Sequence, residues 1–313
     1  MQPHKENLAV FDLGSNTTKL TVLELPQLRC LYHQAIATRI GQDLTPETGY
    51  KLTRDSIERL IEAILFLIDR AEAYHPEHYE IVGTSALRES QNKKEISDRI
   101  QGEIGLNLEV LSGIEEAELI GMGANTDPAL GDLQGTFTII DLGGGSLECI
   151  DYVSHQAQQV TSLPLGAVLL DRKFLTDHND SIPFHEVDAL FEDAKNVLQR
   201  ADFQFEKDHQ LLVGMGGTLV TVRSMIAASE GMECSRSSPV LNVHDIGGLL
   251  TKLTSCSLDQ RQSIPGIDPE RADILPAAIT ILLALADVCQ VDTILHSYRN
   301  LPYGLASRWM EER

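Results

Sequence analysis

Apolar residues recur along the chain in two periods, and the shorter one organises the rest. Residues 8–22 (LAVFDLGSNTTKLTV) and 137–150 (FTIIDLGGGSLECI) share one pattern. Each is an apolar, β-rich run followed by Asp-Leu-Gly, small polar residues and a second strand-like run. That is a hairpin pattern with a glycine-rich turn. The two aspartates, Asp12 and Asp141, lie 129 residues apart (141 − 12). This is far longer than a solenoid or propeller period, so the chain reads as a duplicated lobe.

Between and after the copies, helical and strand patterns alternate. Ile57, Leu60, Ile61, Ile64, Leu65 and Ile68 repeat at helical spacing and predict a helix over 53–74. A short strand follows at 79–83, a polar helix at 92–102, a strand at 106–111 and a helix at 114–123 with acid at its start. Residues 125–135, with Pro128 and two glycines, read as the linker between lobes 1–124 and 125–313. In the second half, strands are expected at 137–141, 147–152, 160–163, 210–214 and 293–296. Helices are expected at 183–200, 218–228, 270–288 and 303–312. Strands alternating with helices indicate an α/β protein with mixed sheets flanked by helices.

Composition narrows the function classes. A chain of 313 residues fits two domains, and 42% hydrophobic with 23% charged residues fits a globular core. Lys and Arg number 25 against 46 Asp and Glu, a formal charge of −21. So acidic a chain argues against general nucleic-acid binding. A polyanionic substrate would need a local basic patch or a bound cation. Cys30, Cys149, Cys234, Cys256 and Cys289 are odd in number and include no Cys-x-x-Cys, which fits reduced thiols and a cytoplasmic protein. The first residues, MQPHKEN, lack a signal-peptide core. The apolar run 274–288 is shorter than the ~20 residues of a membrane span and reads as a buried helix.

Three glycine-rich turns carry the candidate chemistry. The first is Asp12-Leu13-Gly14-Ser15-Asn16-Thr17, the second Asp141-Leu142-Gly143-Gly144-Gly145-Ser146-Leu147-Glu148, and the third Gly214-Met215-Gly216-Gly217-Thr218. Glycines let backbone N–H groups approach phosphate, hydroxyls add donors, and a strand-to-helix turn offers helix N–H groups to an anion. Each turn alone also fits a tight hairpin or a packing glycine. Neither a Walker A loop nor a complete G-x-G-x-x-G is present. Asn242-Val243-His244-Asp245 has no partner spacing for a metal site and reads as a helix cap. Arg271 and Asp273 read as a charged pair bracing the start of a buried helix.

These loops, in this order, resemble the actin-like ATPase superfamily. The finer resemblance is to the exopolyphosphatase/guanosine pentaphosphate phosphohydrolase (Ppx/GppA) family. It rests on DLGSNTTKL (12–20), TSALRES (84–90), SGIEEAELIGMG (112–123), DLGGGSLE (141–148), PLGAVLL (164–170), GMGGT (214–218) and PGIDPERADILPAA (265–278). Seven motifs in family order over nearly the whole chain are specific where each alone is weak. The resemblance implies two actin-like (ribonuclease H-like) lobes with a cleft between them, the last helix packing back on the first lobe. It implies Glu116 as general base, with Glu115 as second choice, and Glu148 with Asp141 near a metal and the scissile phosphate. Arg88 matches the family's phosphate-binding arginine, and Arg39, in IATRIGQDL, a looser segment that adds charge.

Two departures stand out. Where the family has Leu-Arg-Glu-Gly, this chain has Leu301-Pro302-Tyr303-Gly304, with Arg299 nearby. The chain also resembles the short members, without the extra helical domain of longer relatives.

The activity so implied is hydrolysis of a terminal phosphoanhydride in inorganic polyphosphate or guanosine pentaphosphate. Such chemistry needs positioning, charge neutralisation and a base for the attacking water. Backbone donors at Gly14, Ser15, Asn16, Thr17, Gly143, Gly144, Gly145, Ser146, Gly216, Gly217 and Thr218 would cradle phosphates, with Mg2+ or another divalent cation at Asp12, Asp141 and Glu148. No nucleic-acid or membrane partner is expected, and a homodimer is compatible with the resemblance. An ATP-dependent kinase of the same superfamily and a non-catalytic sensor of guanosine tetra- or pentaphosphate are the alternatives.

Overall fold

The computed structural model describes residues 5–131, 136–153, 156–177, 179–205 and 211–313. Parts of the expected linker (132–135), of the strand at 210–214 and of the first seven residues lie outside these. Two compact units result, one of Met1–Gly131 with Arg299–Arg313, the other of Asp132–Tyr298.

The first unit is built on a sheet of order β3-β2-β1-β4-β5. Its strands are β1 (Glu6–Leu13), β2 (Thr17–Leu25), β3 (Arg29–Ala37), β4 (His78–Gly83) and β5 (Leu108–Val110). The chain β1-β2-β3 is an antiparallel meander, whereas β4 pairs parallel with β1 and β5 parallel with β4. Its helices are α1 (Arg54–Ala71), α2 (Ser85–Glu89), α3 (Lys93–Ile104), α4 (Gly113–Asn125) and the single turn α5 (Pro128–Gly131). Thr53 caps α1 by accepting from the Ser56 amide, and the Ile/Leu stripe read from the sequence is its buried face. Leu60, Ile64 and Leu67 are fully buried beneath Phe11, Leu13 and Leu20 of the sheet's core cluster.

The second unit repeats this plan. β6 (Thr136–Leu142), β7 (Leu147–Val153) and β8 (Gln156–Leu163) form a second antiparallel meander, and β9 (Leu212–Met215) runs parallel to β6. Beyond it lie β11 (Thr293–His296), parallel to β9, and the antiparallel edge strand β10 (Val240–Asn242), giving the order β10-β11-β9-β6-β7-β8. The helices are α6 (Ala167–Phe174), α7 (Phe184–Arg200), α8 (Gly216–Ser229), α9 (Val243–Thr254), α10 (Leu258–Gln262) and α11 (Leu275–Cys289). β1 thus corresponds to β6, β2 to β7, β3 to β8 and β4 to β9, so the duplication seen in two loops extends to whole sheets.

α12 (Leu301–Glu311) belongs to the first unit and lies against α4. Glycines permit the approach. A Cβ on Gly304 would collide with the carbonyl of Leu119, and one on Gly123 with the carbonyl of Asn300. Arg299 donates to the Thr126 carbonyl at the end of α4 and stacks over Tyr303.

The expected helix 270–288 is shorter in the structure. Pro269–Arg271 forms a separate 3-10 turn, and α11 begins at Leu275 with Pro276 in its first turn. A proline is tolerated there because its missing N–H would have no helical partner anyway. α11 is buried nearly all round, as its apolar run implies. No helix among the described residues is long and apolar enough to cross a membrane. The cap at Asn242 is present, its side chain accepting from the His244 amide.

Candidate active site

In each unit the candidate residues gather at the C-terminal ends of the parallel strands, where open α/β sheets bind ligands. In the first unit, β1 ends in the Asp12 loop, β4 leads through Thr84 into α2 with Arg88, and β5 leads through Ser112 into α4 with Glu116. The register aligns these exits: Leu13 pairs with Gly83, and Gly83 with Val110. Thr84 N also donates to the Leu13 carbonyl at 3.3 Å.

The two Asp-Leu-Gly turns close identically. Gly14 N donates to Thr17 O, and Gly143 N to Ser146 O, each at 3.0 Å. Those two N–H groups are therefore spent on the turn. This corrects the expectation that Gly14 and Gly143 present backbone donors to phosphate; the N–H groups of Ser15, Asn16, Gly144 and Gly145 take no part in the closure. The carbonyls of Ser15 and Asn16 are held by Gly41 N and Arg39 N at 2.8 and 2.9 Å. Arg39 adopts the left-handed conformation (φ 51°) to make this contact, so its backbone serves the loop directly. In the second turn, the carbonyls of Gly143 and Gly144 accept from Ala167 N, Val168 N and Leu169 N at the start of α6. The motif at 164–170 is thereby a buttress for the glycine loop.

Three of the residues named from sequence carry buried polar atoms without a hydrogen-bond partner among the described residues: both amide atoms of Asn16, 4% exposed, the Thr218 hydroxyl, fully buried, and Arg271 Nε. Buried polar groups in folded proteins are almost always satisfied, and exceptions call for a ligand or water.

The candidate carboxylates have distinct settings. Glu116 is 7% exposed, and its Oε2 accepts from Arg88 Nη1 at 2.8 Å. Glu115 is exposed and serves a capping box: it accepts from Ser112 N, while Ser112 Oγ accepts from Glu115 N. These bonds hold its pKa below the ordinary value, the Ser112 amide contributing most. The structure therefore separates the neighbours, Glu115 as cap and Glu116 as the buried acid. Asp12 is also buried, and its Oδ2 pairs with Lys19 Nζ at 2.8 Å across the β1–β2 register.

In the second unit, Asp141 and Glu148 are direct cross-strand partners on β6 and β7, so both carboxylates project from one face of the sheet. Glu148 is 2% exposed, and its Oε1 accepts from Ser162 Oγ at 2.8 Å. Gly216, at φ 85°, lies against the Asp141 carboxylate, and Gly217 against the guanidinium of Arg271; a Cβ at either would collide. Burial pulls the Arg271 pKa down, while Asp268, Asp141 and Asp273 pull it back up. Arg271 thus joins the third glycine turn, beyond the bracing role expected for it. Asp12 with Lys19 and Asp141 with Arg271 are parallel arrangements, an acid near the end of the first strand with a cation beside it. Lys19, unremarked in the sequence, lies seven residues past the loop aspartate on the same hairpin; Arg271, read from the sequence only as a brace, is brought to the turn by tertiary folding.

A divalent cation fits the donor set of the second unit. Asp141 and Glu148 supply hard oxygen ligands from one face, and Mg2+ is commonly held by one or two carboxylates together with substrate phosphates. No group of three or more His, Cys, Asp or Glu is placed to hold a metal among the described residues, so a cation here would complete its shell with water and substrate oxygens.

Both units have a mixed sheet flanked by helices. The whole chain superposes on a Ppx/GppA family member from Aquifex aeolicus with a TM-score of 0.78 at 23% identity, covering 99% of each chain. An exopolyphosphatase from Cytophaga hutchinsonii superposes with a TM-score of 0.85 at 22% identity, covering 98% of each. The family profile of the Ppx/GppA phosphatases matches residues 21–313, and the chain belongs to that family. It is 26% identical over 306 residues to a guanosine-5'-triphosphate,3'-diphosphate pyrophosphatase of Vibrio vulnificus, covering 97% of this chain and 59% of that one. It is 25% identical over 294 residues to exopolyphosphatase 1 of Mycobacterium leprae, covering 92% and 84%. The chain thus spans about three-fifths of the Vibrio relative's length.

Proposed function

We propose that this phosphohydrolase releases the terminal phosphate of inorganic polyphosphate or guanosine pentaphosphate by in-line attack of water. The observation that carries the reading is Glu116, a buried carboxylate at the start of a helix, held by an arginine at the strand ends that also bear the Asp12 loop. Glu116 takes the proton of the attacking water. Arg88 contributes positive charge beside it. Ser15 and Asn16 in the first unit, and Gly144, Gly145 and Ser146 in the second, donate N–H and hydroxyl groups to phosphate oxygens. The unsatisfied Asn16 amide and Thr218 hydroxyl gain partners when phosphate binds. Asp141 and Glu148 would hold a divalent cation, which would supply charge neutralisation at the phosphate oxygens. Local cations and backbone dipoles thus offset the field of a chain with formal charge −21.

The test is phosphate release from tripolyphosphate, long-chain polyphosphate, guanosine pentaphosphate and ATP, each with and without Mg2+. Metal-dependent release from either of the proposed substrate classes, exceeding that from ATP, supports the reading. Tight binding of guanosine tetra- or pentaphosphate with no release from any substrate contradicts it and points to a sensor.

A further inference from the structure

Arg88 is anchored through a single nitrogen. Its Nη1 donates both to Glu116 Oε2 at 2.8 Å and to the Leu111 carbonyl at 3.1 Å. Nη2 forms no hydrogen bond among the described residues, and Nε has only a loose 3.7 Å contact with Glu89. The Arg88 side chain is 19% exposed and that of Glu116 10%, so the pair is enclosed without being sealed. A guanidinium is planar and rigid, and its Nε–Nη2 edge can take a phosphate in two parallel bonds while Nη1 stays where it is.

We infer that Arg88 is a positioning residue for Glu116: the guanidinium that takes a substrate phosphate on one edge keeps the Glu116 carboxylate at a fixed distance from that phosphate with its other nitrogen. The inference rests on the reading of Glu116 as the proton acceptor. Its physical content is that base and electrophile share one rigid plane. Leu111, at the exit of β5, locks that plane to the sheet, and Ser112 begins the helix that carries Glu116. A lysine offers a point charge at one atom. It can attract phosphate or pair with Glu116, but it cannot hold both in one fixed geometry.

The test is a double-mutant cycle on tripolyphosphate with Mg2+, using wild type, Arg88→Lys, Glu116→Gln and the double variant. kcat, KM and thermal midpoint are measured for each. A base misplaced by about 1 Å can cost on the order of 10²-fold. Arg88→Lys should therefore lower kcat roughly 10- to 100-fold while KM stays within about threefold. In the Glu116→Gln background the same substitution should change kcat less than about threefold, because no base remains to be placed. An equal fold-loss of kcat in both backgrounds, or an effect confined to KM, overturns the inference and leaves Arg88 as a phosphate ligand only. Near-wild-type turnover by Glu116→Gln alone refutes the underlying base assignment instead, and the inference with it. If Arg88→Lys does not fold, Glu116→Asp asks the same question, because it keeps the charge but withdraws the carboxylate from Nη1. A large loss in kcat at unchanged KM supports the inference, and wild-type kcat overturns it.

Discussion

Lys19 Nζ lies 2.8 Å from Asp12 Oδ2, joining the first loop aspartate to the neighbouring strand. Asp12 is 5% exposed, so the ion pair is largely withdrawn from water on its side. Removing one member of such a pair leaves a buried charge uncompensated, at a cost of several kcal/mol when both are sealed. Lys19 is a quarter exposed, so solvent screens part of the pair, and Lys19→Met should cost about 1–3 kcal/mol. Urea unfolding should show this loss largely relieved in Lys19→Met/Asp12→Asn; equal losses in both backgrounds would mean the pair contributes nothing.

Gly304 and Gly123 let α12 and α4 touch backbone to backbone. Gly304→Val should destabilise the first unit by about 1–3 kcal/mol or more, through overpacking against the Leu119 carbonyl. A denaturation midpoint equal to that of wild type would contradict the close contact.

At the third turn, Gly216 combines φ 85° with the Asp141 carboxylate against its missing side chain. Gly216→Ala must strain the backbone and displace Asp141 together. Activity should fall at least about tenfold, the scale of a displaced catalytic group. The control is Gly247→Ala, at a position where a Cβ meets nothing within 4 Å. Comparable activity in the two variants would remove the turn from the site.

Hydrolysis should depend on a divalent cation. Asp141 and Glu148 face one side of the sheet and repel phosphate unless a cation lies between them. Dialysis against EDTA should abolish phosphate release, and added Mg2+ should restore it. Full turnover in excess chelator would show that these carboxylates serve another purpose.

Much of this was legible in the sequence, and what was not has physical causes. The two Asp-Leu-Gly hairpins were visible because both strands of each are apolar and the turn chemistry is local. α1 was visible because its buried stripe is regular. β3 was missed because RCLYHQAIA is an edge strand with no fully buried residue, so it lacks the alternation of a half-buried strand. α9 contains Gly247 and Gly248, which lower helix propensity, and only its cap stood out. In the site, Glu116 and Glu115 could not be separated by sequence alone, because both suit a helix start. The structure separates them by burial. Lys19 and Arg271 acquire their meaning from strand register and from tertiary packing.

Glu116 is the residue on which the proposed chemistry turns. Phosphate release from tripolyphosphate by Glu116→Gln, compared with wild type and Glu115→Gln, tests it directly. An amide keeps the shape of the carboxylate without its basicity, so Glu116→Gln should stay folded and bind substrate while losing on the order of 10²–10⁴-fold in kcat. Glu115→Gln should stay within a few-fold in kcat and remain folded, because a glutamine at that position also accepts from the Ser112 amide. Turnover by Glu116→Gln within a few-fold of wild type, or a severe defect in Glu115→Gln alone, would contradict the account.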